Sequence, residues 1–145
     1  MTFRRYDAAQ LHQLLAHRYP FLLVDAIDVV QPGSLVIGRK MLSAGEWWSA
    51  ASSSTPSVLV LEALAQTSAA VLADIVDGAT GAVGYFASAN RVRFRHAARA
   101  GDELLLRVAL IHWRRGICRT RGVATLSNGA VVPTAELTTV LRASF

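Results

Sequence analysis

The segment from Pro56 to Val76 constrains this chain more than any other. It is apolar or small at nearly every position, and only Glu62, Gln66 and Asp74 break the run from Val58 to Val76. A run of this length without internal glycine or proline predicts one long helix. Pro56 suits a helix start, Thr55 is the predicted N-cap, and Asp77-Gly78 is the predicted end. The run approaches membrane-spanning length, but each carboxylate at mid-bilayer depth would cost about 2.5–3.5 kcal/mol. A helix apolar on almost all faces therefore belongs in the middle of a soluble fold.

The flanking sequence supplies strands. Asp7 predicts the cap of a short helix through Leu11, Leu14 and Leu15, ended by His17-Arg18-Tyr19-Pro20. Phe21–Val30 and Leu35–Leu42 read as strands around the turn signal Gln31-Pro32-Gly33-Ser34. Gly45–Thr55 reads as a loop, in which Trp47 and Trp48 read as packing anchors, a lid over a binding site being the alternative. After the helix, Tyr85–Arg95, Glu103–Trp113, Ile117–Leu126 and Val131–Arg142 read as strands, with Asn128-Gly129 a strong tight-hairpin signal. Two strands, a buried helix and four strands predict an α+β fold: an antiparallel sheet wrapped around a long central helix. The 145 residues read as one domain, 1–145.

Glu62 is the chemically informative residue. A carboxylate in that apolar stretch is solvated, paired or used, and burial would favour its neutral, proton-donating form. Gln66, one turn on, faces the same way and is placed to hydrogen-bond Glu62 or a substrate, or to meet another helix at a dimer interface. With 52% hydrophobic residues and a mean hydropathy of +0.34, a chain this small is expected to bury surface against a second subunit. Cys118 is the only cysteine, so no internal disulfide forms. A single cysteine and no apolar signal core after Met1 imply a cytoplasmic location.

The net charge of +5 comes from arginine, with nine between Arg91 and Arg121. Their alternation at Arg91, Arg93 and Arg95, and at Arg119 and Arg121, reads as the solvated face of a sheet. Without an aromatic stacking ladder they do not describe a nucleic-acid site. A patch containing Arg93, Arg95 and Arg99 would instead suit an acidic protein partner.

Three segments carry a family resemblance. They are His17-Arg18-Tyr19-Pro20-Phe21-Leu22-Leu23-Val24-Asp25, then Val58-Leu59-Val60-Leu61-Glu62-Ala63-Leu64-Ala65-Gln66, and more loosely Tyr85-Phe86-Ala87 with Val92-Arg93-Phe94-Arg95 and Gly101-Asp102. Together they resemble the FabZ family of (3R)-hydroxyacyl-ACP dehydratases, which have the hotdog fold. The resemblance implies that Glu62 is one half of a catalytic pair. It also implies a site at a subunit interface, and a helix start near Ser57 and Val58 that offers backbone donors to the thioester oxygen. Gln66, Tyr85 and Phe86 then become substrate-binding candidates. The substrate is an acyl-ACP or acyl-CoA thioester, with no cofactor, metal, nucleic acid or membrane involved.

The family's second catalytic residue is a histidine in a GHFP segment before the helix. Here no histidine lies between Glu46 and Pro56. Among the four histidines, His17 is expected to hold its loop, and His12, His96 and His112 are expected on the surface. Three readings remain open. The chain supplies Glu62 to a composite site with a histidine-bearing dehydratase subunit, within fatty-acid or polyketide/aryl-polyene-type biosynthesis. It is a thioesterase in which Glu62 activates water. Or it is a non-catalytic acyl-binding or partner subunit, as homodimer or heterodimer.

Overall fold

The α2 helix, Ser57–Ile75, lies against a seven-stranded antiparallel sheet. The computed structural model describes residues 4–76 and 82–143. In chain order the other elements are β1 Arg4–Tyr6, α1 Ala8–Leu14, β2 Ala26–Gln31, β3 Leu35–Met41, β4 Ala82–Phe94, β5 Glu103–Arg114, β6 Ile117–Leu126 and β7 Val131–Ala143. The strands follow the order β1-β2-β3-β5-β6-β7-β4, which leaves β1 and β4 at the edges. This is the predicted α+β arrangement.

The core forms where one side of α2 meets the inner face of the sheet. Val60, Leu64 and Val71 pack with Ile27, Val36, Leu104, Leu106, Val108 and Leu137, all at most 1% exposed. Burying each such side chain contributes roughly 1.5–3 kcal/mol. Close approach is built into the backbone at Gly38, where an added Cβ would collide with Thr67 Oγ1. The opposite stripe of α2 is not covered within one chain. Val58 is exposed, and Leu61, Glu62, Ala65, Ala69 and Ala73 are only partly buried. The expectation of a helix enclosed on nearly every face is thus half met, because a single sheet covers a single side. This is also the helix long and apolar enough to cross a membrane, and its packing against the sheet accounts for that composition.

Several boundaries differ from expectation. Pro56, not Thr55, occupies the N-cap position, with ψ 124° and no side-chain cap. Thr55 is buried, and its N–H donates to Ala98 O at 2.7 Å. The helix ends as predicted to within a residue, with Val76 as its C-cap, whereas Asp77-Gly78 lie outside the described residues. The strand predicted from Phe21 starts only at Ala26, since the preceding residues are tied to α2 instead of a neighbouring strand. β1 was not predicted, and it pairs with β2 through Arg4↔Val29 and Tyr6↔Ile27. The two-residue hairpin is at Arg115-Gly116, where φ is +51° and +77°. At Asn128-Gly129 only Gly129 is left-handed, and the turn is wider. Gly129 N–H donates to Leu126 O, and Asn128 Oδ1 accepts from Ala130 N–H.

Candidate active site

The site begins with α1. Asp7 and Gln10 form a reciprocal capping box, each side chain accepting the other's backbone N–H at 2.9 Å. Beyond the helix the Arg18 guanidinium collects the carbonyls of His12, Leu15 and His17 at 2.7–2.9 Å. Phe21 and Leu22 N–H in turn donate to Arg18 O. This shapes the segment that the sequence marks as HRYPFLL and carries His17 over α2.

Gln66 locks that segment in place. It is 2% exposed, and its amide donates to Phe21 O at 2.8 Å while its Oε1 accepts from Leu23 N–H at 2.9 Å. The second amide hydrogen goes to Glu62 Oε1 at 3.0 Å. All of the amide's donors are therefore committed within the chain, which makes Gln66 a positioning residue instead of a free substrate contact. It is not part of the open stripe of α2, so the helix-to-helix interface role does not fall to it either.

Glu62 has a second neighbour. His17 Nε2 lies 3.4 Å from the same Oε1, and the two side chains are 40% and 39% exposed. Among the described residues no hydrogen bond reaches Glu62 Oε2. The burial from which a neutral acid was argued is thus absent in a single chain, and partnering takes its place. The sequence reading gave His17 only a loop-holding role, and the fold adds contact with Glu62. The motif contained this histidine all along, but nothing in its spacing shows that it returns to a residue 45 positions later.

A cleft of about 550 Å³ opens beside these groups. Glu62, His17 and Gln66 stand at one end. Ala65, Ala69, Leu72, Ala73 and Val76 continue along α2, Leu14 and Leu15 come from the α1 side, and Tyr85, Phe86 and Leu141 from the far edge of the sheet. Along α2 it runs about 21 Å at 1.5 Å per residue. A polar end followed by an apolar trough suits a ligand with a reactive head and a hydrocarbon tail.

Of the predicted site residues, the fold gathers Glu62, Gln66, Tyr85 and Phe86 in this cleft. Ser57 and Val58 are not among its lining residues, because the cleft runs from Glu62 towards the C-terminal end of α2. Arg93, Arg95 and Arg99 are exposed and also outside it. The alternating arginines are not simply a solvated face: Arg91, with φ +51° at a bulge, joins Arg119 and Arg121 around Glu136. Trp48 is buried in the core, and Trp47 packs edge-on against Phe21 and Trp48, so neither lids the cleft. His12, His96 and His112 are exposed. Burial pushes the Cys118 thiol up to about 11, so it is not a nucleophile at neutral pH. Among the described residues no group of three or more His, Cys, Asp or Glu is placed to hold a metal ion.

A single antiparallel sheet around a central helix, with a carboxylate at the head of an apolar cleft, defines a hotdog-fold protein. Residues 15–136 match the FabA-like domain family. The chain is 35% identical over 140 residues to the 3-hydroxyacyl-[acyl-carrier-protein] dehydratase FabZ of Oceanobacillus iheyensis, covering 94% of this chain and 99% of that protein. It is 38% identical over 139 residues to the FabZ of Bacillus subtilis, covering 93% and 97%. The chain belongs to this family. In structure it is similar to a chain of the dehydratase heterocomplex ApeI:P from Xenorhabdus doucetiae, with TM-score 0.76, 18% identity and coverage of 91% and 90%. A thioesterase from Haemophilus influenzae shares the fold at TM-score 0.69 and 12% identity, covering 99% of this chain and 93% of that one.

Proposed function

We propose that the chain is the Glu62-bearing subunit of a dehydratase acting on 3-hydroxyacyl thioesters, with a second, histidine-bearing subunit completing the site. The observation that carries this reading is Glu62 at the head of an apolar cleft, with one carboxylate oxygen hydrogen-bonded by Gln66 and no hydrogen bond to the other among the described residues. The FabZ relatives, matched over almost their whole length, supply the reaction class. In the elimination a base removes the proton next to the thioester carbonyl. Glu62, protonated, gives its proton to the departing 3-hydroxyl, and water leaves as the double bond forms. The partner's histidine is the base, since no histidine lies between Glu46 and Pro56. It returns its proton to Glu62 between turnovers through water.

Two surfaces support pairing. One is the open stripe of α2, and the other is the β4 edge, where Tyr85 and Phe86 are at least half exposed beside backbone groups that no eighth strand pairs. Our reading is a cytoplasmic protein of fatty-acid or polyketide/aryl-polyene-type biosynthesis, with the substrate on an acidic carrier protein that meets Arg93, Arg95 and Arg99. The Arg93→Glu/Arg95→Glu/Arg99→Glu variant should weaken carrier binding in a salt-dependent way, and unchanged affinity at low salt removes that surface.

The reading is tested by hydration of a crotonyl thioester on its carrier, with the chain alone and mixed with a histidine-bearing dehydratase of the same pathway. Activity above that of the partner alone, lost with Glu62→Gln, supports the composite site. Turnover by the chain alone that Glu62→Gln removes makes it self-sufficient. Release of free acid instead of hydration identifies a thioesterase.

A further inference from the structure

The tail end of the cleft is lined by a glycine, and no turn requires one there. Gly84 lies within β4, outside the glycines with positive φ, and shares the cleft wall with Leu72 of α2 and Thr139 and Leu141 of β7. A Cβ placed on Gly84 would lie 3.1 Å from Leu72 Cδ2 and 3.3 Å from Thr139 Cγ2. Both distances are shorter than ordinary carbon–carbon contact, so Leu72 rests directly on the bare backbone of β4. Leu72 is 7% exposed, and a side chain pushed off β4 has little room except towards the cleft it lines.

We propose that Gly84 is a specificity-determining residue: by leaving room for Leu72 and Thr139 it keeps the cleft open to acyl chains of about twelve carbons or more. Leu72 stands ten residues beyond Glu62 on α2, about 15 Å along the axis at 1.5 Å per residue. An extended hydrocarbon advances about 1.25 Å per carbon, from single bonds of about 1.5 Å. A chain whose reacting end is at Glu62 therefore passes Leu72 only when it has about twelve carbons. A crotonyl chain ends far short of that point. This rests on the cleft being the acyl site of the dehydratase reading, but it can fail separately.

Thioesters of graded length test the idea. In whichever assembly turns over, Gly84→Ala should lower kcat/KM for a long 2-enoyl thioester, of about sixteen carbons, about ten-fold or more, mainly through KM, as the tail loses the burial of a few methylenes. The crotonyl value should stay within about two-fold, which also reports an intact fold. Adding Leu72→Val to Gly84→Ala gives back volume at the same point and should recover most of the long-chain value. Leu72→Phe, which fills that point from α2, should reproduce the length-dependent loss. Equal losses at both lengths, or no loss at either, overturn the proposal. Hexadecyl and butyl thioethers of pantetheine, which neither hydrate nor hydrolyse, give the same comparison without turnover. The parent should bind the hexadecyl ligand more tightly, and Gly84→Ala should weaken that ligand alone. A parent that binds both equally refutes the tail site whatever the activity. Full activity of Glu62→Gln with this length dependence intact would instead overturn the role of Glu62 and leave the tail site standing.

Discussion

Glu62 and Glu136 are both carboxylates on elements of the core, and their surroundings differ in an instructive way. Glu136 is the more buried, with its side chain 10% exposed. Arg119 reaches its Oε2 at 3.0 Å, while Arg91 and Arg121 approach Oε1 at 3.5 and 3.6 Å. Both oxygens are thus met by guanidinium groups of the two strands that flank β7, and neither is left to act on a ligand. Glu62 is 39% exposed, and among the described residues its one hydrogen bond, from Gln66, falls on Oε1. Burial does not separate the proposed acid from the structural one. What separates them is whether a reactive oxygen is left over and whether a cleft receives it.

The largest difference should appear in turnover. Glu62→Gln is expected to lower kcat by about 10²–10⁴ in the active assembly while preserving the fold, whereas Glu136→Gln should leave kcat within about three-fold. Similar losses in both variants would collapse the comparison. Stability should rank the pair in the opposite order. Removing the Glu136 charge leaves three arginines together and should cost about 1–2 kcal/mol by urea unfolding, discounted because the arginines are 44–76% exposed. Glu62→Gln should change the unfolding midpoint little.

Asp28 extends the comparison to a carboxylate saturated in the same way, 5% exposed between Arg5 and Arg39. The Arg5 hydrogen bond, reinforced by Arg39, holds its carboxyl below the usual carboxylate range against the opposing effect of burial. A folded value below the unfolded one means that its contribution is complete above about pH 4 and is lost as pH falls through the folded value. Unfolding measured from pH 6 downward should show parent and Asp28→Asn converging in stability below about pH 4. A gap that stays constant there would show that Asp28 acts through packing and not through charge. The smallest effect is expected at the rim: Arg91, 76% exposed at 3.5 Å from Glu136, should tolerate glutamine with no measurable change in unfolding midpoint.

Much of this was legible in the chain. The helix announces itself because its length, its apolar content and its lack of internal glycine or proline are local properties, and it runs to Ile75 with Val76 as its C-cap. The later strands and turn positions follow from alternation and glycine in the same way. Boundaries failed where distant groups decided them. Phe21–Leu23 has strand-forming side chains, but its backbone bonds go to Arg18 O and to Gln66, and no local pattern announces the latter. β1 exists only because Val29 and Ile27 are there to pair with it. Arg115 adopts a left-handed conformation that its side chain disfavours because the two-residue hairpin requires it.

The site divides along the same line. The sequence alone singled out Glu62 as an acid in apolar surroundings, named Gln66, Tyr85 and Phe86 beside it, and carried the family resemblance in its motifs. Only the tertiary structure brought His17 to Glu62, moved Ser57 and Val58 out of the cleft, and spent three of the nine arginines on Glu136. Residue type and local spacing set which groups are chemically able to act. Whether a given oxygen or nitrogen is free to do so depends also on neighbours 15 to 45 residues away along the chain, and the fold alone brings those together.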